Sequence, residues 1–211
     1  MPSSADILER LMAAATGMTP LAFGWHLVIV IVGIAMLRGW RPPARSAAVL
    51  LIAPALSVFI VSAAYASWFN AGSFLLLAVV LLLATRELVE PWQVRGSTWS
   101  LLLGSALVVF GLVYPHFVEG AWYRSLYAAP TGVVPCPTLA ILAGGTLVTG
   151  ASGSRAVPAV LAAWTAFYAA FGIGKLGVVL DVGLLAGTFG LAVLAVRNLR
   201  VGRRPPVHAT I

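Results

Sequence analysis

The sequence predicts an all-α integral membrane protein, a bundle of about seven transmembrane helices. The fifth of these is short and either crosses or enters as a broken half-helix. Three observations carry this expectation. Of 211 residues, 61% are hydrophobic and only 9% are charged, where a soluble domain would carry about a quarter charged. Several uncharged apolar runs approach or exceed the length of a membrane-spanning helix, about 20 residues. Basic residues sit singly at the ends of those runs. One transmembrane domain over residues 21–197 accounts for the chain. Residues 1–20 form a surface amphipathic or frayed N-terminus, and residues 198–211 a basic tail.

In the N-terminal segment Ile7, Leu8, Leu11, Met12 and Ala15 fall on one helical face, with Ser3 or Ser4 placed to cap it. Asp6 and Glu9 stand where a secretory signal would be basic. The first span reads Leu21–Leu37 and stops at Arg38, Arg41, Pro42 and Pro43. Residues 47–85 are too long for one helix crossing a hydrocarbon core of about 30 Å. A turn is expected within Trp68–Ser73, where Asn70 and Gly72 suit a reversal. A polar connection over Arg86–Ser97 leads to a fourth span, Trp99–Phe117. The fifth is expected from Thr138 to Val148, after the segment Pro135-Cys136-Pro137. Residues 157–196 again exceed one crossing, and Gly172-Ile173-Gly174-Lys175-Leu176-Gly177 is the natural break. Gly183 and Gly187, four apart, allow the last helix to approach a neighbour closely.

Seven spans put Arg38, Arg41, Arg45, Arg86, Arg95, Arg155, Arg197, Arg200, Arg203 and Arg204 on one side. Only Arg10, Arg124 and Lys175 of the 13 basic residues fall on the other. The positive-inside rule then places the C-terminus in the cytoplasm of a bacterial cell and the N-terminus outside its inner membrane. Six of the seven tryptophans lie near span ends, as an aromatic belt requires. The net charge of +7 therefore reports orientation. Nucleic acid is rejected as a partner because no basic face interleaved with aromatics exists, and the lipid bilayer is the partner the composition implies.

The same parity gathers the ionisable groups into the half opposite the arginines. His26 lies early in the first span, His116 and Glu119 at the end of the fourth, Cys136 at the start of the fifth. Lys175 closes the sixth, Asp181 lies about one and a half turns into the seventh, and Arg124 lies in the connecting loop. Charged groups at membrane depth face the protein interior or a wet cavity, and often pair. Asp181, Glu119, His116, Thr138 and Arg124 are the candidate ligand-binding residues. Cys136, His116 and Glu119 have the residue types of a metal site, so a metal ion is the one cofactor the sequence suggests. The alternatives are a salt-bridged or hydrogen-bonded cluster that pins helices, and a cysteine that is simply a small buried hydrophobe. One cysteine excludes an intramolecular disulfide and a multi-cysteine cluster. Lys175 between Gly174 and Gly177 sits at a helix break, where it can snorkel to water, and does not suit a retinal Schiff base.

Trp68-Phe69-Asn70-Ala71, Tyr114-Pro115, Pro130-Thr131-Gly132-Val133-Val134-Pro135-Cys136-Pro137-Thr138 and Asp181-Val182-Gly183-Leu184-Leu185 are spread over most of the chain. In these segments the sequence resembles a bacterial family of multi-pass membrane proteins catalogued as a domain of unknown function. Members tend to carry a Gly-His-x-Tyr-Pro-like piece where this chain reads Val118-Glu119-Gly120-Ala121-Trp122, with His116 displaced to follow Pro115. The resemblance implies the topology and an important central connection, and no substrate.

Three functions remain open at this point. One is binding or passage of a small solute or metal ion through a polar pocket in the outer half of the membrane. A second is a non-catalytic accessory or assembly subunit with a protein partner. The third, a membrane-embedded enzyme, lacks any recognised catalytic arrangement.

Overall fold

A backbone surrounded by hydrocarbon must satisfy its own N–H and C=O groups, so long apolar runs become helices. The computed structural model, which describes residues 3–88, 90–118 and 122–201, is helical throughout, with no strand among the described residues. Helix α1 (Ser4–Gly17) begins with a capping box, in which Ser3 Oγ accepts from the Asp6 N–H and Asp6 accepts from the Ser3 N–H. Those bonds from Ser3 hold the Asp6 carboxyl below its ordinary value. The Asp6 half of the cap is therefore complete down to the usual carboxylate range and is lost only as pH falls below it, through the depressed value. Leu11, Ala14 and Ala15 are buried, while Met12 of the expected apolar face points outward. Two bonds tie α1 across one end of the bundle: Ser4 Oγ to the Lys175 carbonyl at 2.8 Å and an Arg10 guanidinium N–H to the Ala66 carbonyl at 2.7 Å.

The remaining helices follow as α2 (Thr19–Leu37), α3 (Ala44–Ala64), α4 (Trp68–Ala84), α5 (Thr98–Leu112), α6 (Ser125–Ala128), α7 (Pro135–Thr149), α8 (Ala156–Phe171) and α9 (Val182–Val201). Five segments are long and apolar enough to cross a membrane: Thr19–Leu37, Ala44–Ala64, Trp68–Glu87, Ala156–Leu176 and Val179–Arg200. Apolar α5 and α7 have 15 residues each. At 1.5 Å per residue that is roughly 22 Å, short of a hydrocarbon core of about 30 Å.

Three boundaries differ from expectation. The reversal between α3 and α4 falls before Trp68, where Ala66 takes a positive φ of 54°. Asn70 is thus not in the turn; it lies in the first turn of α4, and its Nδ2 donates to Ser67 Oγ at 3.0 Å. Helix α5 ends at Leu112 and not at Phe117, ahead of Pro115, which disfavours helix in the residue before it. Helix α7 starts three residues early, with Pro135 and Pro137 inside its first turn, where missing N–H groups have no intrahelical partner to lose. The expected break after α8 is present. It is a single π turn over Gly172–Leu176 followed by Gly177 at φ 70°.

Hydrogen bonds between connections show which helix ends meet. The Trp92 N–H bonds the Pro42 carbonyl at 2.9 Å, and the Gly96 N–H bonds the Val148 carbonyl at 3.1 Å. Glu87 accepts from the Ala156 N–H at 3.1 Å, and Asn198 donates to the Ser154 carbonyl at 2.7 Å. Arg38, Arg41, Arg45, Arg86, Arg95, Arg155, Arg197 and Arg200 gather at this end. The opposite end holds α1, the start of α2, the end of α5, and the start of α7 and α9.

Helix α7 is the core. Most of its residues are buried, including Cys136, Thr138, Leu139 and Leu147. A helix apolar all round is one that neighbours cover on every side. Small residues set the closest approach: a Cβ on Gly144 would lie 2.5 Å from the Gly104 carbonyl oxygen, and one on Gly111 would lie 2.7 Å from that of Pro137. Helix α9 packs on α5 in the same way, since a Cβ on Gly190 would meet a Leu103 methyl at 2.7 Å. Gly144→Ala should therefore destabilise the protein by about 1–3 kcal/mol, the usual penalty for overpacking. Gly145→Ala, whose Cβ meets nothing within 4 Å, should stay within about 0.5 kcal/mol. Equilibrium unfolding in mixed micelles reads both.

Candidate functional site

The residues between α5 and α7 decide what Cys136 and Thr138 can do. The segment Ala129–Val134 is buried, although it is a connection. Its polar backbone needs partners there, and side chains supply them. Thr138 Oγ1 accepts from the Gly132 N–H at 2.8 Å and donates to the Val134 carbonyl at 2.7 Å. Thr131 Oγ1 donates to the Gly111 carbonyl at 2.9 Å. Gly132 has a φ of 74°, and a Cβ there would strike the Trp25 ring 2.0 Å away. Thr138 thus holds the fold of this connection, and both of its hydrogen-bonding functions are engaged in doing so.

The start of α7, fixed in this way, aims Cys136 at the start of α9. Cys136 Sγ lies 3.2 Å from Asp181 Oδ2 and donates to it, while the Tyr114 hydroxyl donates to Asp181 Oδ1 at 2.7 Å. One carboxyl therefore joins the ends of α5, α7 and α9. Asp181 is 1% exposed and Tyr114 is fully buried. No basic side chain pairs with Asp181 among the described residues. The carboxyl fits because Gly172 has no side chain; a Cβ there would lie 1.8 Å from Asp181 Oδ2. The π turn that begins at Gly172 widens the helix at this point, and the Val178 N–H returns to the Gly172 carbonyl at 2.9 Å. Single π turns inside α-helices occur frequently at functional sites.

Opposite this cluster the Tyr168 hydroxyl donates to Asn70 Oδ1 at 3.1 Å. Asn70, Tyr168, Cys136, Asp181, Gly172 and Phe117 are among the residues that enclose a cavity of ≈ 10 Å³. That is the space of about one water molecule. A larger ligand requires the end of α8 to move.

The sequence-predicted residues divide by location. Asp181 and Cys136 are in direct contact. Thr138 lies two residues beyond Cys136, about half a turn round α7, and faces the connection. His116 is exposed at the same end of the bundle, and its ring packs edge-on against Phe117 with centroids 4.8 Å apart. Phe117 in turn stacks on Tyr114. Arg124 is exposed in the turn before α6. Glu119 lies outside the described residues. Among the described residues no three His, Cys, Asp or Glu side chains come together as metal ligands. His26 is buried in α2 and faces two carbonyls, Ala22 and Leu112, both at 2.8 Å. A neutral imidazole donates to only one of these, and an imidazolium donates to both. It links α2 to the end of α5 and does not reach Asp181.

Tyr114, Asn70, Tyr168 and Gly172 complete the site and were not among the sequence candidates. Asn70 and Tyr114 stand in the segments that carry the resemblance and Gly172 in the expected break, but no local pattern marks any of the four as a partner of Asp181. No protein-family model, no curated protein and no solved structure matches the chain.

Removing one donor leaves a buried carboxyl oxygen without a partner, which is the expensive way to lose a hydrogen bond. Tyr114→Phe should destabilise by about 1–3 kcal/mol. Gly172→Ala should be destabilising through the clash with Asp181, and the double variant with Asp181→Ala should fall short of the sum by about 1 kcal/mol. Thermal unfolding of the four proteins in one detergent measures that coupling; strict additivity would show that the two residues do not touch.

Proposed function

We propose that this membrane-embedded chain binds a small cation or a proton at Asp181, within the half of the bundle away from the arginines. The observation that carries this reading is a buried carboxyl held by two neutral donors, Tyr114 and Cys136, with no basic partner among the described residues. An ionisable group at membrane depth is expensive, and where it persists it commonly marks an ion or substrate path. The adjoining cavity has room for one small ion or water. The glycines of residues 172–177 supply the segment whose movement would admit it.

In this reading all seven apolar helices cross, α5 and α7 at a place where the bilayer is thinned around them. The arginine-rich end faces the cytoplasm of a bacterial cell and the N-terminus lies outside. The likeness of the Pro-Cys-Pro segment to an uncharacterised multi-pass family belongs to the same proposal. His116 and Arg124, exposed at the outer end, would meet an approaching solute before Asp181 does. A metal ion would find Cys136 and Asp181 as a pair of ligands.

A second reading has one observation in its favour. Both carboxyl oxygens are already engaged and the cavity is nearly filled, as in a clamp that pins α5, α7 and α9 in an accessory or assembly subunit. Ligand-dependent stability separates the two readings. A cation bound at 100 times its Kd adds about 2.7 kcal/mol, so one of a panel of monovalent and divalent cations should raise the Tm of the wild-type protein at constant ionic strength. Asp181→Asn should fold and lose that response, and Cys136→Ser should weaken it if the ion is a soft metal. No response to any cation or to pH, with Asp181→Asn merely less stable, would establish the clamp.

A further inference from the structure

The hydrogen bonds that hold helix α2 to the bundle lie toward one end, and Met36 packs on the core near the other. Its anchors are in its first half: Trp25 Nε1 donates to Ser57 Oγ at 3.0 Å, and His26 bonds the Leu112 carbonyl. Its only buried residues are Ala22 and His26. Between these anchors and Met36 a cavity of ≈ 310 Å³ separates α2 from α3, α5 and α7. Its wall is almost wholly hydrocarbon, with Val32 and Met36 on one side and Leu50, Val108 and Ile141 on the other. Pro54 and Gly145 widen it, since neither places a long side chain there. The volume is at the lower end of ligand pockets, about 300–1,000 Å³.

The end of the cavity nearest the arginines is different. Trp92 lines it, is 5% exposed, and its indole N–H has no acceptor among the described residues. Buried indole N–H groups ordinarily find one. The next residues of the frame are basic: Arg38 follows the lining residue Leu37, Arg41 adjoins Pro42, whose carbonyl accepts from the backbone N–H of Trp92, and Arg45 lies in the first turn of α3. All three are exposed, and none has an acidic partner among the described residues. Arg95, by contrast, is paired with Glu90.

We infer that this slot between α2 and α3–α5–α7 binds one acyl chain of an anionic phospholipid, whose phosphate meets the arginines Arg38, Arg41 and Arg45 that follow its end. Each part answers one feature of the site. The hydrocarbon wall takes a chain, and exposed arginines without acidic partners at a bilayer surface attract anionic headgroups. Neither Asp181 nor its donors line the slot, so this site is independent of the proposed cation site.

Native mass spectrometry of the detergent-purified full chain tests it, with phosphatidylglycerol and phosphatidylcholine of matched chains added in equal amounts. The wild-type protein should retain one phosphatidylglycerol in preference to phosphatidylcholine. Arg38→Gln with Arg41→Gln should remove the preference, at about five-fold per arginine, and leave residual binding of both lipids. Gly145→Leu should lower retention of both lipids at least five-fold. Gly33→Leu provides a second filling variant should that protein fail to fold, because a Cβ at either glycine meets nothing within 4 Å. Equal retention of the two lipids by the wild type, unchanged retention in a folded filling variant, or a dimer that binds no lipid would each overturn the assignment. Binding of inorganic phosphate alone, undiminished by Gly145→Leu, would overturn it as well.

Discussion

One carboxyl group holds three helix ends. Asp181 receives Tyr114 from the end of α5 and Cys136 from the start of α7, while it opens α9 itself. Among the described residues no other side chain at that end of the bundle joins these three helices. The arrangement constrains its surroundings: α8 must end without a side chain at Gly172, and the chain must widen there into a π turn before α9 can begin. The glycines of residues 172–177 are the backbone's answer to a carboxyl that must be accommodated.

The rest of the architecture keeps α7 where that contact needs it. In a bilayer apolar burial does little to bring helices together, because lipid is as apolar as leucine. Close backbone approach does the work, and here it is set by Gly104 against Gly144 and Gly111 against Pro137. The connection before α7 contributes the other half. The Thr138 hydroxyl bonds its backbone at Gly132 and Val134 and the Thr131 hydroxyl ties it to the Gly111 carbonyl of α5, so that Pro135 and Cys136 enter the bundle at a fixed depth. The prolines cost the helix little in its first turn and exclude any other start.

What the sequence disclosed follows from how local each feature is. The break at residues 172–177 is set by its own glycines and is legible in the sequence. The cap is legible only as a choice between Ser3 and Ser4, and the prolines mark the start of α7 without fixing it, since Pro135 and Pro137 lie inside its first turn and not ahead of it. The partnership of Tyr114 with Asp181 spans 67 positions and leaves no local pattern. The central position of α7 was hidden for another reason: a helix buried among helices and one facing lipid are equally apolar. Thr138 was misleading because a hydroxyl near a helix start suits a ligand and a backbone carbonyl alike, and only the buried connection decides between them. Asn70 was read as a turn residue on propensity, yet Ala66 takes the positive φ and Asn70 faces Tyr168.

The account turns on whether Asp181 changes its bound partner inside a folded bundle. Infrared difference spectroscopy of the protein in lipid, exchanging buffer with and without the cation that stabilises it, or across a pH step, reads carboxyl groups directly. A carboxyl band that shifts in the wild type and is missing from the difference spectrum of folded Asp181→Asn is the expected result. An unchanged carboxyl region, or a change that persists in Asp181→Asn, would contradict the account and leave Asp181 as a fixed tie between helices.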